Sequence, residues 1–111
     1  MSGRRPVLEV QDWKGDLVRL YEAQWDHIRS KHPEMAEELE AIRLTISDPD
    51  VVVKSYGTRL VASRGETHSR FRRLYVRVPI EYSPGRNWVT TAYVDQLPPK
   101  GDLIYVRISP R

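Results

Sequence analysis

From Tyr21 onward the apolar residues fall at Tyr21, Trp25 and Ile28, then at Met35, Leu39, Ile42 and Ile46. Steps of three and four put them on one helical face. Pro33 interrupts the run, since a proline within a helix removes a hydrogen bond and clashes with the preceding turn. The spacing therefore predicts two helices, 21–31 and 33–47. Pro33 takes the first turn of the second, where its missing N–H is not needed. Glu34, Glu37 and Glu38 then lie at a helix end that favours negative charge, and Asp48-Pro49-Asp50 closes the element.

Beyond residue 50 the period changes to alternation. Val51 to Tyr56 is β-branched and strand-like; Gly57 bends or ends it, and Leu60-Val61-Ala62 continues it. Ser63 to His68 reads as a turn cluster. Arg70 to Tyr82 reads as a long strand, with Leu74, Val76, Val78 and Ile80 on one face and Phe71, Arg73, Tyr75 and Arg77 on the other. Ser83 to Asn87 is a loop rich in breakers. Trp88 to Val94 is the next strand, Leu97 to Gly101 a loop, and Leu103 to Ile108 the last strand. Upstream, Val7–Val10 and Leu17–Leu20 flank the turn Asp12-Trp13-Lys14-Gly15-Asp16 as a candidate hairpin. The expected architecture is one α+β domain over 1–111. Two N-terminal helices pack on one face of a roughly four-stranded antiparallel sheet, the hairpin is an addition, and the other face is left open.

Composition narrows the classes. The chain is 40% hydrophobic and 30% charged, which argues against wholesale disorder. No apolar run approaches the roughly 20 residues of a membrane span. The first residues, MSGRRPVLEV, lack the apolar region of a secretory signal, so a cytoplasmic protein without membrane association is expected. The absence of cysteine excludes disulfides, a thiolate nucleophile and a Cys-type zinc site. The net charge of +3 is unevenly placed: Glu34, Glu37, Glu38, Glu40, Asp48 and Asp50 face one Arg43. Then Lys54, Arg59, Arg64, Arg70, Arg72, Arg73 and Arg77 face only Glu66. Either two solubilising surfaces or a phosphate-binding face accounts for this.

Candidate chemistry centres on Trp25-Asp26-His27-Ile28-Arg29-Ser30-Lys31-His32-Pro33-Glu34-Met35. Imidazole exchanges protons near neutral pH. His27 lies off the apolar stripe, as either a solvent-facing residue or a general base. His32 falls on the stripe before Pro33, as either a cap for the first helix's carbonyls or a second acid–base group. His68 reads as solvated. Spacing of i, i+5 across a proline does not suit a two-histidine metal site, so neither metal nor cofactor is expected. Arg73, Tyr75 and Arg77 share a strand face, as either solvated charges or a phosphate-binding and base-stacking surface. Arg72 falls on the core face by strict alternation. Thr91 and Tyr93 flank the arginines if Val89 and Thr91 share Tyr93's face; otherwise Thr90 replaces Thr91. Lys54 and Lys100 are peripheral phosphate contacts, and Trp13 and Trp88 packing residues.

The order of these pieces resembles small phage- and bacteria-associated proteins of the barnase–EndoU–colicin–RelE superfamily. The matching segments are Trp25-Asp26-His27-Ile28, His32-Pro33-Glu34-Met35, Ile46 with Pro49-Asp50, Arg72 to Val78, Val89 to Tyr93, and Lys100-Gly101. The resemblance implies a metal-independent, toxin-like endoribonuclease working on an open sheet face by 2′-hydroxyl transesterification. His27 would be the main base or acid and His32 the second. Arg73 and Arg77 would clamp the phosphate, and Thr91 or Tyr93 would orient it. Lys54, Arg72, Tyr75 and Lys100 would contact RNA, and an acidic antitoxin would be a partner. The alternative is a non-catalytic RNA- or partner-binding module of the same fold.

Overall fold

The structure is a computed structural model that describes residues 5–66 and 73–108. It opens with a hairpin of β1 (Pro6–Gln11) and β2 (Leu17–Tyr21). The buried Asp12 closes the turn by accepting the backbone N–H groups of Lys14 at 3.0 Å and Asp16 at 2.9 Å, a side-chain mimic of a backbone turn. Helix α1 (Glu22–Lys31) buries Trp25 and Ile28. A 3-10 turn, Pro33–Met35, follows, and α2 (Leu39–Ser47) begins only afterwards. The expected single helix over 33–47 is thus broken: Ala36 closes the 3-10 turn onto Pro33, and Glu38 leaves helical geometry at φ −115°, ψ 36°.

Strands β3 (Val51–Lys54), β4 (Arg59–Glu66), β5 (Leu74–Ser83), β6 (Arg86–Val89), β7 (Tyr93–Asp95) and β8 (Leu103–Val106) complete the chain. All join one eight-stranded sheet in the order β1-β2-β6-β5-β4-β3-β8, with β7 also paired to β5. This corrects the expected four-stranded antiparallel sheet in three ways. The N-terminal hairpin is part of the sheet, through a parallel contact of Arg19 with Trp88. Residues 51–62 are two strands, because Gly57 at φ +64° turns the chain back and Ser55 N–H bonds Arg59 O at 2.9 Å. The Trp88–Val94 segment is split into β6 and β7.

That split has a cause in β5. Pro79 cannot donate to a ladder. Instead its carbonyl accepts the Thr90 N–H at 3.0 Å, and the register slips by one residue between Ile80↔Val89 and Arg77↔Tyr93. One extra residue reverses which face the following side chains occupy. Val89 lies on the core side with Ile80, whereas Tyr93 shares Arg77's face.

The sheet is curled. Strands β1 and β4 stand four steps apart, roughly 19 Å in a flat sheet, yet α2 packs on both with a width of about 10–12 Å. Its Ile42 and Ile46 meet Val18, Leu20, Ala62, Val76, Val78 and Ile80 on the concave face. At one end Trp13 sits 6.2 Å from Tyr82 and 6.0 Å from Tyr105, ring to ring, so the hairpin tip reaches β8 at the far end of the strand order.

The convex face is not uniformly open. Residues 96–102 must pass from β7, beside β5, to β8, beside β3, four strand spacings away or roughly 19 Å along the sheet. Arg77 Nη2 donates to Leu97 O at 2.6 Å, and a Cβ on Gly101 would lie 3.5 Å from Val53 Cβ. Arg77 and Val53 both project from the convex face, so the connection crosses it. It accounts for Val53 and Ser63 being buried there. The open remainder is the β1–β2–β6 side.

Candidate functional site

His32 is the histidine drawn into a constellation. Its backbone N–H caps α1 by bonding Ile28 O at 2.7 Å, which leaves the ring free to turn toward the sheet. The imidazole lies 5.5 Å from the Tyr93 ring, tilted by 31°. Its Nδ1 is 3.8 Å from a Glu34 carboxylate oxygen. Tyr93 in turn receives the Arg77 guanidinium at 5.9 Å, and Arg77 Nη2 is 3.7 Å from Asp95 Oδ2. The imidazole, phenol and guanidinium come from the helix junction, β7 and β5, and meet because the Pro79 slip puts Tyr93 on Arg77's face. His32 keeps a third of its side chain exposed, whereas Arg77 keeps 16%. The imidazole is accessible; the guanidinium is largely enclosed and committed to Leu97 O and Asp95.

The other candidates divide. His27 is exposed on α1, and its side chain makes no hydrogen bond, ion pair or ring contact among the described residues. Arg73 stands outside β5 in a turn at φ +67°, so the alternation that aligned it with Tyr75 and Arg77 does not extend to it. Tyr75 pairs with Gly65 and Asp95, and its ring covers the space a Gly65 side chain would need, 3.3 Å away. Thr91 Oγ1 is buried without a hydrogen-bond partner among the described residues; Thr90 Oγ1 donates to Pro79 O at 3.3 Å. Lys54 and Lys100 are exposed at the β3 end of the crossing segment, where Lys54 N–H bonds Asp102 O at 2.8 Å. Arg72 and His68 lie outside the described residues.

The uneven charge is partly consumed internally. Arg64 Nη1 reaches Asp48 Oδ2 at 3.0 Å, Arg59 lies 3.7 Å from Glu81, and Arg107 pairs with Asp48. The basic run is therefore not a free phosphate surface along its length. Among the described residues no three His, Asp or Glu side chains converge as metal ligands, and no helix is long and apolar enough to cross a membrane.

Sequence reading missed a second grouping. Trp88, expected as packing, stands on the convex face opposite Arg19 and Glu81. The Arg86 guanidinium lies 4.9 Å from its ring and 5.1 Å from that of Tyr21. The signal was available in Arg86-Asn87-Trp88, whose first and third residues share a strand face. Only the parallel β2–β6 contact brings Tyr21 beside them. No protein-family model, curated protein or solved structure matches this chain.

Proposed function

We propose that the protein binds RNA and cleaves it without a metal at the His32 centre. The carrying observation is the ring contact between His32 and Tyr93 with Arg77 behind it. A Glu34 carboxylate oxygen 3.8 Å from Nδ1 puts an acidic group beside the imidazole, the kind of neighbour that commonly orients a catalytic histidine. Neutral His32 takes the proton of a ribose 2′-hydroxyl, whose oxygen attacks the adjacent phosphorus. The P–O5′ bond breaks, and the departing 5′-oxygen takes its proton from the Tyr93 phenol. The products are a 2′,3′-cyclic phosphate and a 5′-hydroxyl, and solvent returns the proton from His32 to Tyr93. Arg77 acts through Tyr93 as a positioning residue, and its charge favours anionic species nearby.

The test is cleavage of end-labelled single-stranded RNA in EDTA. His32→Gln is expected to lose activity by about 100-fold or more, the range of a general acid–base group. Full activity in His32→Gln, with loss in His27→Gln, would transfer the reaction to His27.

Binding without cleavage is the second reading. It is favoured by the engagement of Arg77 with Leu97 O and Asp95, which leaves no open phosphate clamp. RNA retention that falls with salt, with intact RNA throughout, would select it. An acidic antitoxin-like partner would compete with RNA for the same surface in either case.

A further inference from the structure

We propose that Tyr21, Arg86 and Trp88 form a second site, which holds single-stranded nucleic acid by base stacking and one phosphate contact. This site does not rest on the His32 centre, from which it differs in every residue. The argument begins with face. Val18 and Leu20 turn inward to the core, so Leu17, Arg19 and Tyr21 turn outward. Trp88 is opposite Arg19 in the parallel contact, and Arg86 shares its face two positions earlier. This is the part of the convex sheet that residues 96–102 do not cross.

The chemistry of the patch is selective. Arg86 is exposed and, among the described residues, has no carboxylate partner. It lies instead over two rings, 5.1 Å from Tyr21 and 4.9 Å from Trp88. Guanidinium above an aromatic face keeps its N–H edge free for a phosphate. Arg19 is different: Glu9 accepts from its Nε at 2.6 Å, and that bond holds Arg19 protonated above its usual range. One unneutralised cation beside two rings matches a ligand that offers flat faces and spaced phosphates. An acidic peptide would use the charge but not the rings. A duplex has its bases already stacked and would use neither ring face. Asn87, whose side-chain NH2 donates to Leu17 O at 3.1 Å, fastens β6 to β2 and so fixes the spacing of the platform.

The experiment is fluorescence anisotropy on the full chain with labelled 2′-O-methyl oligoadenylate, which lacks the free 2′-hydroxyl that cleavage needs, a duplex of equal length and polyglutamate as probes. Oligoadenylate is expected to bind more tightly than the duplex. Trp88→Ala should weaken it by about tenfold, within the range found for one base on one ring. Because Trp88 is partly buried, Arg86→Ala serves as the second variant. It should melt as the wild type does and lower the slope of log K against log salt by about 0.7, the loss of one single-strand phosphate contact. His32→Gln should bind normally whether or not it cleaves, which separates this site from the cleavage centre. Equal binding by Arg86→Ala and wild type, equal affinity for duplex, or preference for polyglutamate would each overturn the proposal.

Discussion

Replacing Asp12 with alanine tests the link between one turn and the curvature of the whole sheet. The carboxylate accepts from the backbone N–H groups of Lys14 and Asp16, from Lys14 Nζ at 3.2 Å, and from the Tyr82 hydroxyl at 2.7 Å. Tyr82 is the farthest in sequence, and it reaches Asp12 from β5 beside the Trp13 ring. A hydrogen bond to a charged group contributes about 1.5–3 kcal/mol, while turn N–H groups that regain water recover most of theirs. The expected loss is therefore about 3 kcal/mol. With an unfolding entropy of about 2.1 cal/mol/K per residue over 111 residues, that corresponds to a melting temperature lower by about 13 °C. Tyr82→Phe alone should cost about 1.5 kcal/mol, or roughly 6 °C. Added to Asp12→Ala it should cost nothing more, because the shared bond is already gone. Differential scanning calorimetry at neutral pH measures all three variants. An Asp12→Ala midpoint within a few degrees of wild type, or additive losses in the double variant, would refute the claim that this carboxylate ties the hairpin to β5.

Burial, then the Asp12 hydrogen bond, raises the Tyr82 pKa above its ordinary value. Stability from this group is complete below the unfolded tyrosine pKa of about 10 and declines as pH rises beyond it. Urea midpoints of wild type should therefore fall above that pH more steeply than those of Tyr82→Phe. Gly101→Ala would bring a Cβ within 2.6 Å of the Lys54 carbonyl at φ +147°, so it should destabilise by about 2 kcal/mol or more. Gly85→Ala, with φ +77° but no atom within 4 Å, should cost only about 1 kcal/mol; chemical denaturation ranks the pair, and equal losses would contradict the crossing segment's close contact. Ser63→Ala removes a buried hydroxyl that has no hydrogen-bond partner among the described residues, and should leave the melting temperature unchanged or slightly higher. A fall of several degrees would show that the hydroxyl is satisfied after all.

Local features were legible in the sequence. The apolar steps from Tyr21 to Ile28 place α1 within one residue of its observed start. Gly57, Pro84 and Gly85 mark turns, and the Leu74–Ile80 alternation marks the inner face of β5. What escaped was non-local. Nothing in Leu17–Tyr21 announces a parallel neighbour at Trp88, so the hairpin looked like an appendage and not a quarter of the sheet. The split of β6 from β7 had a visible cause, Pro79 inside a strand, but its effect falls on a segment ten residues later. That slip settled which face Tyr93 takes, an ambiguity that alternation alone could not resolve. Of the two described histidines, position on α1 decides which one meets Tyr93. His32 reaches Tyr93 because its backbone ends α1, whereas His27, mid-helix and off the apolar stripe, stays on the solvent side.

The most direct measurement is a backbone amide NMR titration of the isotope-labelled protein with a single-stranded 2′-O-methyl oligoribonucleotide, which the proposed reaction cannot cleave. Shifts should concentrate on β2 and β6 around Tyr21, Arg86 and Trp88, and on His32 and Tyr93. The α2 helix and the β8 edge should remain unmoved. A spectrum that does not change, or changes confined to α2 or β8, would contradict RNA recognition by the convex sheet face.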